Sequence, residues 1–215
     1  MKDRLIEIDG NEEFEEAIIK VTRWLKEAKK GVMLHWGNTD KRYVLGEKGE
    51  KGKKPLICFG VNPSTAGLDT LTDPTISRIR RIVEETNKTY GDCDGWIMLN
   101  LYPQRATNPD DLHKKEAFDA KMMEENHKVI EMVFKKCNEA YRLMGWGNLI
   151  EKRKYLKESY QKIILLQPEG DWYMRGELTK KNNPRHQLYV ANGTKIEPVK
   201  ICEGGFICKI DTQEM

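Results

Sequence analysis

Three polar side chains stand where apolar runs give way to loops: Asn62, Asn100 and His186. Leu56 to Phe59 ends at Gly60 and passes into Val61-Asn-Pro-Ser64, and Trp96-Ile-Met-Leu99 ends in Asn100. His186 lies in the polar stretch Pro184-Arg-His-Gln187. An Asn amide is no strong base, but its carbonyl oxygen can hold a water, and Asn100 offers a donor and an acceptor together. A neutral His186 can donate to an oxygen on which negative charge develops. Arg105 and Arg185, on neighbouring loops, have the fork geometry that suits phosphate. Trp146, Tyr102 and Tyr189 are the aromatic candidates for a stacking platform. Plainer readings stand beside these. Asn62 before Pro63 also shapes a turn, and Asn100 also satisfies loop backbone. His35, His113 and His127 carry no such context.

These positions form a site only if the fold brings them to one edge. Asn11 with Glu12 and Glu13 opens a helix through Phe14, Ala17, Ile18, Val21, Trp24, Leu25 and Ala28, closed by Gly31. Val32 to Trp36 and Arg42 to Leu45 read as strands, and the charged connector from Lys48 to Lys54 reads as a solvated turn. Leu56 to Val61 is a buried strand. Asp73 suits an N-cap and Pro74 the first position of a helix running to about Tyr90 and stopped by Gly91. Arg78, Arg80 and Arg81 sit on its solvated face. Gly95 to Leu101 is a second buried strand, followed by a helix from about Lys115 to Cys137. Near the middle of that helix Glu125-Asn126 is a polar pair that pins neighbouring loops. Tyr141 begins a third strand that breaks into Gly145-Trp-Gly147, a helix follows through Ile150 to Tyr160, and Lys162 to Gln167 reads as a fourth strand. Lys195 to Ile210 reads as a short hairpin. Alternating strands and helices predict a three-layer α/β/α fold with a mostly parallel central sheet. In such sheets ligands sit at the carboxyl ends of the strands.

The 215 residues fit a single domain, with 39% hydrophobic content for its core. A net charge of +3 permits a local basic groove but no global one. No apolar run approaches the roughly 18–20 residues of a membrane span and no signal peptide opens the chain, so the expected location is the cytoplasm, with no membrane partner. Five cysteines form no CxxC pair, so neither a metal nor a cofactor is expected. Cys58 and Cys137 fall in apolar patterns and read as buried. The absence of GxxxxGK[ST] and GxGxxG argues against a kinase or NTPase.

Arg42-Tyr43, Asn62-Pro-Ser-Thr-Ala66, Asp73-Pro-Thr75, Asn100-Leu101, Arg105-Ala-Thr107, Glu125-Asn126, Gly145-Trp-Gly147, Pro184-Arg-His186 and Leu188-Tyr189 occur in that order. Together they resemble the bacterial and phage family called domain of unknown function 1643, over roughly residues 40–190. A remoter resemblance is to the uracil-DNA glycosylase superfamily. Gly60-Val-Asn62-Pro63 is similar to that superfamily's loop after the first core strand, Leu99-Asn100 to the end of its second strand, and Leu143-Met-Gly-Trp-Gly147 to its third. The superfamily's late His-Pro-Ser-type loop has two counterparts here. Gln167-Pro168 lacks the His, while Pro184-Arg-His186 has it about twenty positions later.

The second resemblance implies a uracil-DNA-glycosylase-like fold and a hydrolase acting on the N-glycosidic bond of an unusual or damaged base, in DNA or a free nucleoside. Such chemistry builds positive charge on the sugar and negative charge on the leaving base, so a held water and aimed donors suffice. Asn62 and His186 would be catalytic. Pro63, Ser64, Asn100, Trp146, Arg105, Arg185 and Tyr189 would bind substrate. The alternative is a non-catalytic nucleotide- or DNA-binding module of a phage or mobile-element system.

Overall fold

The apolar runs ending at Gly60 and Asn100 lie side by side at the centre of the sheet. The computed structural model describes residues 4–64, 74–167, 170–202 and 207–208. Among them, one mixed sheet contains eight strands: β1 (Leu5–Asp9), β2 (Met33–Gly37), β3 (Arg42–Glu47), β4 (Lys54–Gly60), β5 (Cys93–Asn100), β6 (Tyr141–Met144), β7 (Trp172–Arg175) and β8 (Ile196–Pro198). The order across it is β1-β2-β3-β5-β4-β6-β7-β8. β1 and β2 pair in parallel, as do β5, β4, β6 and β7 in turn, whereas β3 and β8 run against their neighbours. The sheet is therefore mostly parallel. A separate ribbon pairs β9 (Lys200–Ile201) with β10 (Ile207–Cys208) in the hairpin region.

Four α-helices cover the sheet among the described residues: α1 (Phe14–Glu27), α2 (Pro74–Tyr90), α3 (Ala120–Lys136) and α4 (Lys154–Leu166). Alternation along β4 and β5 divides the core between them. Ile57, Phe59, Ile97 and Leu99 join Val21, Val133 and Leu156 of α1, α3 and α4. Leu56, Cys58, Trp96 and Met98 join Ile76, Ile79, Ile82 and Val83 of α2. Helices thus lie on both faces, three against one. The connection leaving β4 goes to α2 on one face, and those leaving β5 and β6 go to the other. β4 is therefore where the sheet's topology switches, and that geometry opens a crevice outside the carboxyl ends.

The fourth parallel strand is not Lys162 to Gln167. Those residues through Leu166 complete α4, where Ile163 and Ile164 are buried and Leu165 is 72% exposed. Neighbouring burial of 163 and 164 continues the helical spacing from Tyr155, Leu156 and Ser159, whereas a strand would have put 163 and 165 on one face. The strand is β7, four buried residues that include Arg175. Of the cysteines, Cys58 is buried but Cys137 is only half-buried. The proposed N-cap Asp73, loop positions Thr65 to Gly67, and Pro168 lie outside the described residues.

Candidate functional site

Register sets the centre of the site. Gly60 pairs with Asn100 across β4 and β5, so the loop carrying Asn62 begins beside the Asn100 side chain. A Cβ on Gly60 would stand 2.9 Å from Asn100 Oδ1, so a side chain there would push the Asn100 amide aside. Leu101 N and Tyr102 N then donate to Gly60 O and Val61 O, which carries the pairing beyond the strands. From below, Asn126 Nδ2 on α3 donates to Asn100 O at 2.9 Å, and Tyr43 OH donates to the neighbouring Glu125 carboxylate. The Glu125-Asn126 pair does pin the ends of β5 and β3.

A cavity of about 90 Å³ opens at this point, lined by Arg42, Leu45, Gly60, Asn62, Ser64, Thr75, Ile76, Met98, Asn100 and His186. It is well below the ~300–1,000 Å³ of pockets that enclose drug-sized ligands, so it fits a single ring or a comparable group. Asn62 is half-buried, and its Nδ2 donates to Pro63 O at 3.0 Å and Ala106 O at 2.8 Å. With both amide hydrogens so directed, Oδ1 is the end of the side chain able to accept. Asn100 is 2% exposed. His186 arrives from the long loop after β7. Gly147 N donates to Pro184 O at 2.9 Å, and with φ +60 Gly147 lies under the His186 backbone. His186 Nδ1 accepts from Leu188 N at 3.3 Å, which assigns the ring proton to Nε2. Burial holds the pKa of His186 below the ordinary histidine value, so the ring is a neutral donor at neutral pH.

Other sequence candidates fall around or away from this cavity. Pro63 is buried behind the loop and Ser64 is exposed at its rim. Arg105 donates from Nε to Ser64 O and from Nη1 to Asn38 O, so it ties the rim loops together. Arg185 is exposed, its Nε held by Glu177 O at 3.0 Å. Tyr189 is 81% exposed, with its ring centroid 5.7 Å from that of His186. Trp146 does not line this cavity. It is buried against Tyr160 and lines a different cavity, of about 320 Å³, with Ile150, Lys157 and Pro184. Tyr102 is likewise no platform, because it is buried among His113, Phe118 and Tyr155. Both follow apolar runs whose packing continues past the strand ends. The Lys48 to Lys54 connector borders a cavity of about 270 Å³ at the opposite, amino end of the parallel strands. Arg80 pairs with Glu47 and Arg78 with Asn192, so neither simply faces solvent.

Two residues of the site region were not among the functional candidates: Arg42, which the Arg42-Tyr43 motif marks without a role, and His35. Arg42 lines the cavity although it opens an antiparallel strand. His35 is buried on β2 with no partner for Nδ1, and its pKa is lowered to about 4, first by burial and then by the charges of Arg42 and Arg105. Only the β2–β3 pairing brings these groups together, and no spacing rule along the chain could have marked them.

The family model described as Protein of unknown function (DUF1643) matches residues 42–188, and the chain belongs to that family. No curated protein and no solved structure matches the chain. No helix among the described residues is long and apolar enough to cross a membrane.

Proposed function

We propose that this protein is a nucleobase-directed N-glycosidic hydrolase on a uracil-DNA-glycosylase-like plan, acting on an unusual or damaged base in DNA or a nucleoside. The observation that carries this reading is the convergence of Asn62, Asn100 and His186 on one ring-sized cavity at the sheet's topological switch. The strand order also suits it, since the motif-bearing strands β5, β4 and β6 are adjacent. Asn62 Oδ1 holds a water against the sugar carbon. As the C–N bond lengthens, its electron pair passes to the base and His186 Nε2–H donates to a base oxygen. The water adds to the sugar cation and releases its proton to solvent. Such a transition state needs a positioned water and a donor, not a strong base. Asn100 reads the base edge. Arg185, Lys180 and Lys181 meet phosphates if the substrate is DNA.

The described lining contains no carboxylate, and that favours a second reading, a non-catalytic nucleotide- or DNA-binding module. One assay separates the two. The protein is incubated with oligonucleotides carrying deoxyuridine, hypoxanthine or a 5-substituted pyrimidine, and with the matching nucleosides, and released base is measured by chromatography. The hydrolase reading expects release from at least one substrate, with Asn62→Ala lowering turnover about 10²–10³-fold and leaving binding nearly unchanged. Binding with no release from any substrate refutes it in favour of the module.

A further inference from the structure

The segment that brings His186 to the cavity has an anchor that the proposed mechanism does not use. Gln187–Tyr189 form a single 3₁₀ turn, with His186 immediately before it. Arg185, Leu188 and Tyr189 are exposed and His186 is half-buried, whereas Gln187 is 2% exposed. Gln187 Nε2 donates to Met144 O at 3.0 Å and to Arg185 O at 3.3 Å. Met144 closes β6, where it pairs with Phe59 of β4. One amide thus joins the carbonyl just before His186 to the carboxyl end of a central strand. Gly145 makes room for it, since a Cβ there would stand 3.2 Å from both Cγ and Nε2 of Gln187. Both amide hydrogens are used, and Gln187 Oε1 is buried with no hydrogen-bond partner among the described residues. A buried acceptor left without a donor is costly, and an apolar side chain of the same length would avoid that cost. Packing alone therefore does not account for an amide here.

We propose that Gln187 is a positioning residue: its amide clamps the turn to β6 and thereby holds the His186 ring at the cavity wall with the proton on Nε2. The link is short. Leu188 N donates to His186 Nδ1 at 3.3 Å, and Tyr189 N donates to His186 O at 2.9 Å. Both donors belong to the turn whose first residue is Gln187. The turn does little to hold itself, because 3₁₀ hydrogen bonds are poorly aligned and its closing bond, from Val190 N to Gln187 O, is long at 3.4 Å. Released from β6, it would let the ring sample other rotamers and both tautomers. Gln187 is no part of the cavity's described lining, so it acts through His186. That His186 donates to a leaving base rests on the hydrolase reading, whereas the clamp on its ring does not.

Nitrogen NMR of the imidazoles tests this without any turnover. Isotope-labelled protein is measured at pH 7, and the His186 signals are assigned among the four histidines by their loss in His186→Gln. Unmodified protein is expected to show one protonated and one bare His186 ring nitrogen, with resonances far apart. In Gln187→Met, which keeps the length of the side chain but not its amide, the two resonances should converge as the tautomers average. Where base release is measurable, the same variant should lower kcat about 10²-fold with KM nearly unchanged, the scale of a misplaced reacting group. Thermal melts check folding. A folded Gln187→Met whose ring resonances stay apart overturns the proposal even if its Tm has dropped, because the side chain is then merely structural. If the variant does not fold, the unmodified protein decides. Its Gln187 side-chain amide should exchange slowly with solvent, and exchange as fast as in free glutamine, or averaged tautomers at His186, overturns the proposal. Converged resonances in Gln187→Met, with no base release by the unmodified protein from any substrate, sink the hydrolase reading and leave this inference standing. Base release by both proteins with unchanged ring resonances does the reverse.

Discussion

Asn62→Asp should damage this protein, although a carboxylate is the stronger base. Asn62 donates through Nδ2 to Pro63 O at 3.0 Å and to Ala106 O at 2.8 Å. An ionised Asp has no hydrogen to offer, so one of its oxygens would face two carbonyl oxygens at those distances. Leaving each buried carbonyl without its donor costs about 1–3 kcal/mol, and the half-buried setting favours the lower part of that range. Two such losses come to about 2–4 kcal/mol, or roughly 4–16 °C in Tm at this chain length. Asn62→Ala loses the same two bonds without the repulsion, so the stability order at pH 7 is native, then Asn62→Ala, then Asn62→Asp. The penalty also raises the folded-state pKa of the new carboxyl above its unfolded value. The folded state then binds the extra proton, so stability falls as pH rises between those two values and recovers on acidification. Circular dichroism melts of the three proteins between pH 4 and 8 check both claims. If Asn62→Asp melts with the native protein at pH 7 and shows no added pH dependence, the Asn62 side chain is not anchored as described.

Four further outcomes follow from the same geometry. Because burial holds His186 below its ordinary pKa, base release should be flat through neutral pH and fall only below the usual histidine range, and a pH profile with a midpoint above that range contradicts it. His35 and His127 are each lowered to about 4, so the unfolded chain binds more protons between pH 6.5 and 4 and stability should decline as pH falls through that window; His35→Gln should shallow the decline in denaturant titrations. If DNA is bound, Arg185→Ala should reduce the log–log salt slope by about one unit, measured with a labelled oligonucleotide at several salt concentrations. Arg105→Ala should instead lower Tm, since its guanidinium ties Ser64 and Asn38, and an unchanged melt would refute that role.

The sequence by itself determined the strands at Leu56 and Gly95, the helix between them, and the asparagines beyond their apolar runs. Each of those features is local: apolar spacing records which face of an element is buried, and a polar residue closing the run records where the chain leaves the core. The same spacing misled at Lys162 to Gln167, where a short apolar run serves a helix end as well as a strand. It also passed over β7, whose four residues include a buried arginine held by Glu85 and by the carbonyls of Thr194 and Ala191. Family motifs marked Arg42 and Trp146 alike without saying which side of the sheet each would face. Only the lateral strand order, β3 beside β5 beside β4, brought Arg42 to the wall shared by Asn62 and Asn100. Only the packing of α4 drew Trp146 into a different cavity against Tyr160. Strand neighbours and loop meetings are long-range choices, decided when separate apolar faces bury one another, and no periodicity along a single segment encodes them.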